Sequence, residues 1–365
     1  MSTIRDLIRN LLPYFVVKGI QQKRRDRRSF LNGYLSYVTS TKHISLKNES
    51  GFDNIISVQG FGYSGSGAVL DLLREYDNMS VVGHVDKEGS VTKDVTIDYE
   101  VDFIRIAGGL LEVEKYLDSH NLFHNDALLH RVALMIQNLQ IYREVRESRP
   151  FFYEFFSQIC TIGGALSPRL QYYNTHLKHD SKLILYLKRM TNDDYHLLCR
   201  RLINSILSLY QGPAHKKNIV LDQLFSDMEF DMHREMSYIP NLKTIVVYRD
   251  PRDIFCFARE KDVEWIPHSD VDLFIEWYQQ MIDNYSVGES KLYYSVRFED
   301  LIFSYRKTII GIENYLGVDS SMHINSYKCF NPEYSALNVG MWKSDIQNIK
   351  QYQKIAIELE TLCYH

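Results

Sequence analysis

The residues with the plainest capacity for chemistry lie together: Gly60-Phe61-Gly62-Tyr63-Ser64-Gly65-Ser66-Gly67-Ala68. A short apolar run over residues 54–59 leads into them and an amphipathic stretch leads out. In that stretch Ala68, Val69, Leu72, Leu73 and Tyr76 share one helical face, with Asp71, Arg74 and Glu75 on the other. Strand, glycine loop and helix N-terminus in that order make a concave set of backbone N–H groups that binds anionic oxygens. Glycines let the backbone approach the anion and take up positive φ, and Ser64 and Ser66 add hydroxyl donors. The loop is therefore a candidate phosphate cradle; the plain alternative is a glycine turn between a strand and a helix. The nucleotide-triphosphatase form of such a loop ends in Lys-Ser/Thr, which supplies a cation for the β/γ-phosphates and a metal ligand. Here Gly62 to Gly67 keep the loop length, but Ala68-Val69 stand in that place. A site that hydrolyses ATP or GTP would lack both groups.

A second segment adds positive charge. Leu242-Lys243-Thr244-Ile245-Val246-Val247-Tyr248 reads as a buried strand, followed by Arg249-Asp250-Pro251-Arg252-Asp253. Ligands of open α/β sheets bind beyond the carboxyl ends of the strands, so Arg249 and Arg252 are placed to meet a second phosphate. A third segment, Tyr294-Ser295-Val296-Arg297-Phe298-Glu299-Asp300-Leu301, ends another strand and leads to a helix closing at Tyr315-Leu316-Gly317. Near the C-terminus comes Asn338-Val339-Gly340-Met341-Trp342-Lys343.

Taken in this order, the segments resemble the sulfotransferases that use 3′-phosphoadenosine 5′-phosphosulfate (PAPS), over about residues 54–343. That family's Lys-Ser-Gly-Thr-Thr loop is answered by Tyr63 to Gly67, and its Arg-x-Pro-Arg-Asp by Arg249 to Asp253. Its Tyr-Glu-Asp-Leu is answered by Phe298 to Leu301, its Phe-Leu-Gly by Tyr315 to Gly317, and its Gly-Asp-Trp-Lys by Gly340 to Lys343. The resemblance implies sulfuryl transfer from PAPS to a hydroxyl with release of adenosine 3′,5′-bisphosphate. It implies donor contacts at Gly62, Tyr63, Ser64, Gly65, Ser66, Gly67, Ala68, Arg249, Arg252, Asn338, Trp342 and Lys343.

The chain also departs from that pattern. Tyr63 replaces a lysine that stabilises the leaving phosphate in the cytosolic branch, and Ala68 replaces an adenine-stacking tryptophan. Phe257 stands where a serine helps bind the 3′-phosphate, and Ser335-Ala336-Leu337 where Arg-Lys-Gly precedes the last motif. These departures fit a divergent bacterial-type member. Some bacterial relatives carry a catalytic glutamate about twenty residues after the loop serine, and His84 stands at that distance from Ser64. A near-neutral pKa suits histidine to general-base work, with Glu88 and Asp86 as carboxylate alternatives. Tyr63 can donate a hydrogen bond to the leaving phosphate, and Arg252, Lys343 or Lys188 can supply charge. A sulfuryl group carries less charge than a phosphoryl group, so no metal is required.

Across 365 residues with 45% hydrophobic content the chain can bury a large core, and a net charge of −4 argues against general nucleic-acid binding. Five scattered cysteines without metal-ligand spacing point to reduced thiols in a cytoplasmic protein. Residues 1–30 hold eight basic side chains against two acidic ones, interleaved with Leu7, Ile8, Leu11, Leu12, Phe15 and Val16. Arg9, Asn10 and Pro13 break this run, so it does not span a bilayer. It can lie on an anionic membrane surface, or pack as a terminal helix with a solvated charged end.

The expected organisation is a basic amphipathic segment over residues 1–50 and an α/β domain over 51–365, with a helical insertion at about 100–215. Strands are expected at 54–59, 80–83, 218–221, 244–248 and 292–296; residues 182–187 fit strand or helix equally. Strands alternating with helices predict a P-loop-type sandwich: a central, mainly parallel sheet flanked by helices. Helical spacing is clearest at 132–136 and 196–209. The insertion carries an aromatic group, Phe151, Phe152, Tyr153, Phe155, Phe156, Tyr172 and Tyr173, suited to core packing or to an acceptor pocket for a glycan, lipid or steroid alcohol. Two other functions stay open: a P-loop kinase and a non-catalytic nucleotide-binding module.

Overall fold

The structure, a computed structural model, describes residues 30, 32–38, 40, 42–82, 106–119, 132–133, 135–136, 139, 141–142, 146–162, 185–188, 190–225, 234, 236–239, 241–285 and 293–365. The chain divides into two compact units, residues 1–50 with 109–209 and residues 51–108 with 210–365. The basic residues of segment 1–29 and their expected membrane contact lie outside the described residues.

The second unit holds a five-stranded sheet in the order β2-β5-β1-β6-β7. Its strands are β1 (Asn54–Gly60), β2 (Met79–Val81), β5 (Asn218–Asp222), β6 (Leu242–Tyr248) and β7 (Tyr293–Arg297). Every pairing is parallel, with Asn54 opposite Asn218, Ile55 opposite Leu242, and Thr244 opposite Tyr293. This is the expected mainly parallel sheet flanked by helices. Apart from Asn54, every residue of β1 is buried, and so is most of β6; strands buried on both faces read as unbroken apolar runs. Ile56 and Val58 of β1 and Ile245 and Val247 of β6 join one core cluster with Val69, Leu72 and Leu73 of α1 (Ser66–Leu73). The α7 (Phe298–Phe303) and α8 (Tyr305–Leu316) helices complete that cluster through Leu301, Ile302, Ile309, Ile312 and Leu316. Because the strands run the same way, the ends of β1, β5, β6 and β7 open on one edge, where α/β sheets bind ligands.

The far end of α1 is pinned by a buried carboxylate. Glu75 is fully buried, and its Oε1 accepts the backbone N–H groups of Cys329 at 3.0 Å and Phe330 at 2.9 Å. Its Oε2 lies 2.7 Å from His323 Nε2, and the His323 ring stacks on Tyr76 at 4.5 Å. The Tyr76 hydroxyl in turn donates to Glu313 at 2.8 Å.

The first unit is described by itself. It contains part of α2 (Ile106–Ser119), α3 (Arg149–Ile159), an antiparallel pair β3 (Cys160–Ile162) and β4 (Leu185–Leu187), and α4 (Asn192–Leu207). The ambiguous run 182–187 thus ends in a strand. The α4 helix starts four residues before the expected stretch because Thr191 and Asp194 form a reciprocal capping box. Phe152, Phe155 and Phe156 are fully buried, and Phe30 and Tyr34 pack edge-on against Phe156 at 5.4 and 4.8 Å. Those aromatics are core, while Tyr172 and Tyr173 lie outside the described residues. No helix among the described residues is long and apolar enough to cross a membrane.

Glu75→Ala should cost about 3–5 kcal/mol in urea unfolding, because it strands the buried Phe330 N–H, the part-buried Cys329 N–H and a histidine. Glu75→Gln keeps an acceptor and should cost less; equal losses would mean that the acceptor role is immaterial.

Candidate functional site

The cradle begins where β1 ends. The Ser64 hydroxyl, almost fully buried, accepts the Phe61 N–H at 3.2 Å, and the Ser64 N–H donates to the Phe61 carbonyl at 3.2 Å. Gly62, Tyr63 and Gly65 all take left-handed backbone, at φ of 50°, 62° and 98°. For Tyr63 this is costly, about 1–2 kcal/mol for an L-residue, so surrounding contacts must hold it. Its carbonyl accepts Arg249 Nη1 at 3.2 Å, and its ring lies 4.6 Å from Phe257 and 5.7 Å from Trp265. Gly65 is the N-cap of α1; no side chain caps that helix and its first turn carries no acidic residue. Its leading N–H groups and dipole are therefore left for an anion.

The glycines divide the work. A Cβ on Gly60 would fall 2.3 Å from Ser64 Oγ, one on Gly62 2.6 Å from the Trp277 ring, and one on Gly65 2.4 Å from the Phe298 ring. These three let the loop seat on the protein. A Cβ on Gly67 meets nothing within 4 Å, so Gly67 is the glycine that faces open space. Ala68 packs against the core cluster.

Two glutamines, absent from the sequence expectations, frame the loop from behind. Gln223, just after β5, takes left-handed backbone at φ 47°, and its Nε2 lies 3.5 Å from Ser66 Oγ. With its amide oriented to suit its neighbours, buried Gln59 donates to Gln223 Oε1 at 3.2 Å and accepts the Leu224 and Phe225 N–H groups. The only sequence signal for them is position: each ends, or directly follows, a strand next to the cradle.

The Arg249–Asp253 segment is a hub. Arg249 is 4% exposed; besides Tyr63, its guanidinium donates to the Asn338 carbonyl and approaches Met341 Sδ at 3.6 Å. It sits 5.2 Å over the Phe298 ring, and its buried Nε has no hydrogen-bond partner. Burial pulls the Arg249 pKa down, against the charges of Asp253, Glu299 and Asp250. The Tyr278 hydroxyl donates to the Arg249 carbonyl at 2.5 Å. Asp253 accepts the N–H groups of Gly340 at 2.7 Å and Trp342 at 3.4 Å, which fixes the turn after Asn338.

Arg252 is placed differently from Arg249. It pairs with Asp250 at 2.6 Å, donates to the Tyr364 carbonyl at 2.8 Å and lies 4.4 Å over the Trp342 ring. Arg252 and Trp342 thus anchor the C-terminal segment, while Lys343 is exposed. Tyr63, Arg249 and Asn338 are brought together directly. Lys188 belongs to the first unit, where it donates to the Ser157 carbonyl at 2.7 Å. His84, Asp86 and Glu88 lie outside the described residues. Among the described residues no group of three or more His, Cys, Asp or Glu is placed to hold a metal ion.

Behind the hub Glu299 is fully buried; Oε1 accepts the Asp250 N–H at 2.8 Å and Oε2 has no partner. Burial pushes its pKa up from 4.5 to about 7, opposed by the Asp250 N–H and the Arg249 charge and reinforced by the Asp250 carboxylate.

No family model matches the chain and no curated protein matches it. Among solved structures it is similar to the sulfotransferase domain of an olefin synthase from Synechococcus PCC 7002, at 14% identity and TM-score 0.35, covering 86% of this chain and 98% of that one. It is also similar to the sulfotransferase STF1 of Mycobacterium tuberculosis H37Rv, at 12% identity and TM-score 0.35, covering 89% and 84%. The sulfotransferase STF9 of Mycobacterium avium gives 9% identity and TM-score 0.36, covering 87% and 77%. At these levels the likeness carries nothing about donor or acceptor.

Two outcomes follow from the geometry. Gly65→Ala, strained at φ 98° and pressed into Phe298, should lose about 1–3 kcal/mol in denaturant unfolding. Gly67→Ala, in a helical first turn with open space, should gain about 0.5–1 kcal/mol; the reverse order would mean that the two glycines exchange roles. For Glu299, a folded pKa raised above the unfolded value makes its contribution complete below pH 4.5 and progressively lost as pH rises through about 7. Glu299→Gln should flatten the pH dependence of stability over that window by about 3 kcal/mol; an unchanged slope would show that Glu299 titrates normally.

Proposed function

We propose that the protein is a sulfotransferase that moves a sulfuryl group from PAPS to an acceptor hydroxyl and releases adenosine 3′,5′-bisphosphate. One observation carries this reading: an uncapped helix N-terminus behind a left-handed Gly-Ser loop, at the end of the central parallel strand, backed by a buried arginine with an unpartnered Nε. An anion in the loop would give the first N–H groups of α1 the partner that no side chain supplies. Ala68-Val69 gives the loop neither lysine nor metal-ligating hydroxyl, which disfavours a triphosphate kinase and suits a donor whose transferred group carries less charge.

In the reaction the acceptor oxygen forms a bond to sulfur while the bond from sulfur to the bridging phosphate oxygen breaks. The electron pair passes to the phosphate, and the acceptor proton goes to a base. Loop N–H groups with the Ser66 side chain hold the donor phosphate over a turn that buried Ser64 fixes from within, and preorganised donors of this kind supply most of the stabilisation. The Tyr63 hydroxyl, on a half-exposed ring, is the proposed donor to the leaving phosphate. Arg249 supplies buried positive charge for the 3′-phosphate, and Asn338 and Lys343 border it. His84 is the proposed base, with Glu88 and Asp86 as alternatives. The acceptor class is a glycan or a lipid or steroid alcohol.

Isothermal titration of the full chain with adenosine 3′,5′-bisphosphate, ADP, ATP and GTP tests the reading. The bisphosphate should bind most tightly, and Arg249→Ala should weaken it by about 1.5–3 kcal/mol. Equal affinity for ADP would remove the PAPS assignment, and tight magnesium-dependent ATP binding would favour a kinase.

A further inference from the structure

An exposed aromatic wall adjoins the cradle within the second unit. Tyr63, a residue of the loop itself, is 46% exposed, and Trp265 is 59% exposed. Their rings are near parallel at 22° with centroids 5.7 Å apart, and Phe257 closes the other side of Tyr63 at 4.6 Å. Tyr63 comes from the loop, and Phe257 and Trp265, about two hundred residues further on, come from α5 (Pro251–Glu260) and the turn that follows it. Large exposed rings stacked on each other leave apolar faces in water, which marks a surface that meets a partner.

The platform is rigid. Its turn is held by backbone bonds from Val263 to Ala258, Ile266 to Val263 and His268 to Ile266 at 2.9, 3.1 and 2.7 Å. The turn seats against the loop, because the space beside Gly62 is filled by Ile266 and by Trp277 of α6 (Val271–Tyr285). A ligand on the Trp265 face is therefore held at a fixed place relative to Tyr63, and through Tyr63 relative to the anion cradle.

The charge around the wall selects the ligand. Between residues 260 and 272 the exposed side chains include Glu260, Asp262, Glu264, Asp270 and Asp272 against the single cation Lys261. Lys261 is neutralised by Glu260 at 2.7 Å, Asp272 pairs with Lys354, and His268 lies 3.3 Å from Asp262. Lys261 Nζ lies 6.0 Å from the Phe257 ring and Asp270 caps α6 by accepting the Asp272 N–H at 2.9 Å, so the segment keeps its net negative charge chiefly through Glu264, Asp262 and Asp270. A rim of net negative charge disfavours a sulfated chain, and its carboxylates accept hydrogen bonds from hydroxyls. Aromatic faces carry negative quadrupole charge and attract the C–H groups on the flat side of a pyranose ring.

Resting on the proposed sulfuryl transfer, we infer that Trp265 and Tyr63 form the acceptor platform and that the acceptor is a neutral carbohydrate. A pyranose stacked there presents its hydroxyls beside the loop that would hold the donor. Trp265 is a specificity residue in this account; it touches the acceptor and does not act on the reacting bond.

The test uses the full chain with cellotetraose and chitotetraose as probes, followed by calorimetry and tryptophan emission. Neutral oligosaccharides should bind at concentrations up to about 10 mM and shield Trp265 from acrylamide quenching. Trp265→Ala should weaken that binding at least about tenfold, while Trp265→Phe, which keeps a ring against Tyr63, should retain most of it and bind adenosine 3′,5′-bisphosphate within twofold of the parent. Three outcomes overturn the inference: no neutral sugar binds, Trp265→Ala binds sugar like the parent, or a sulfated oligosaccharide binds as well as its neutral counterpart. Shielding of Trp265 by the nucleotide instead would also overturn it and make the wall a base platform. Sugar binding through Trp265 without any nucleotide binding would support the platform while removing the sulfuryl-transfer reading.

Discussion

A guanidinium buried at the end of β6 has to find acceptors, and the way Arg249 finds them ties the ligand edge of the sheet together. One terminal nitrogen holds the carbonyl of Tyr63 and another that of Asn338, so a loop and a C-terminal turn 275 residues apart share one cation. Tyr63 is otherwise expensive to hold because it sits in left-handed backbone, whereas the turn after Asn338 passes through Gly340, which takes φ 74° with no Cβ to clash. The carboxylates of Asp253 and Asp250 and the buried Glu299 offset the charge. A neutral residue at 249 would leave the Tyr63 and Asn338 carbonyls without these donors and remove the positive charge facing Asp253, Glu299 and Asp250, so the geometry of the loop depends on a residue outside it.

Much of this was legible in the sequence where the signal is local. The apolar runs of β1 and β6 mark strands covered on both faces, and β1 exceeds its expected end only by Gly60. The Gly-Ser loop and the Arg-Asp-Pro-Arg-Asp turn sit at strand ends because glycine and proline punctuate the chain in ways that neighbours alone dictate. Partners distant in sequence were not legible. Nothing near Glu75 announces His323, 248 residues on, and nothing near Tyr63 announces Trp265. Gln59 and Gln223 look like ordinary polar residues until the sheet sets β1 beside β5.

The roles of the two arginines could not be separated by motif either. Both follow the same strand, and both were expected to face phosphate. Arg252, inside α5, turns toward Asp250, Tyr364 and the Trp342 ring, whereas Arg249, directly after β6 and before that helix, turns toward the loop. Likewise the glycines of the cradle read alike in sequence, yet three of them make room for protein atoms and only Gly67 opens to space.

The strand order has a consequence for how the chain is made. The central strand β1 is synthesised early, but its neighbour β5 pairs with it across 164 residues, and β6 comes later still. Until then β1 has no lateral partner, and its apolar face and backbone groups stand open during translation. The intervening residues 109–209 belong to a unit with its own buried aromatic core, which can collapse as soon as it emerges. Collapse of that insert draws the ends of a long loop together before the sheet forms, so it lowers the entropy of closing β1 onto β5. The insert would then act as a folding chaperone within its own chain, and the nascent protein would be most prone to aggregate between the release of β1 and the arrival of β5.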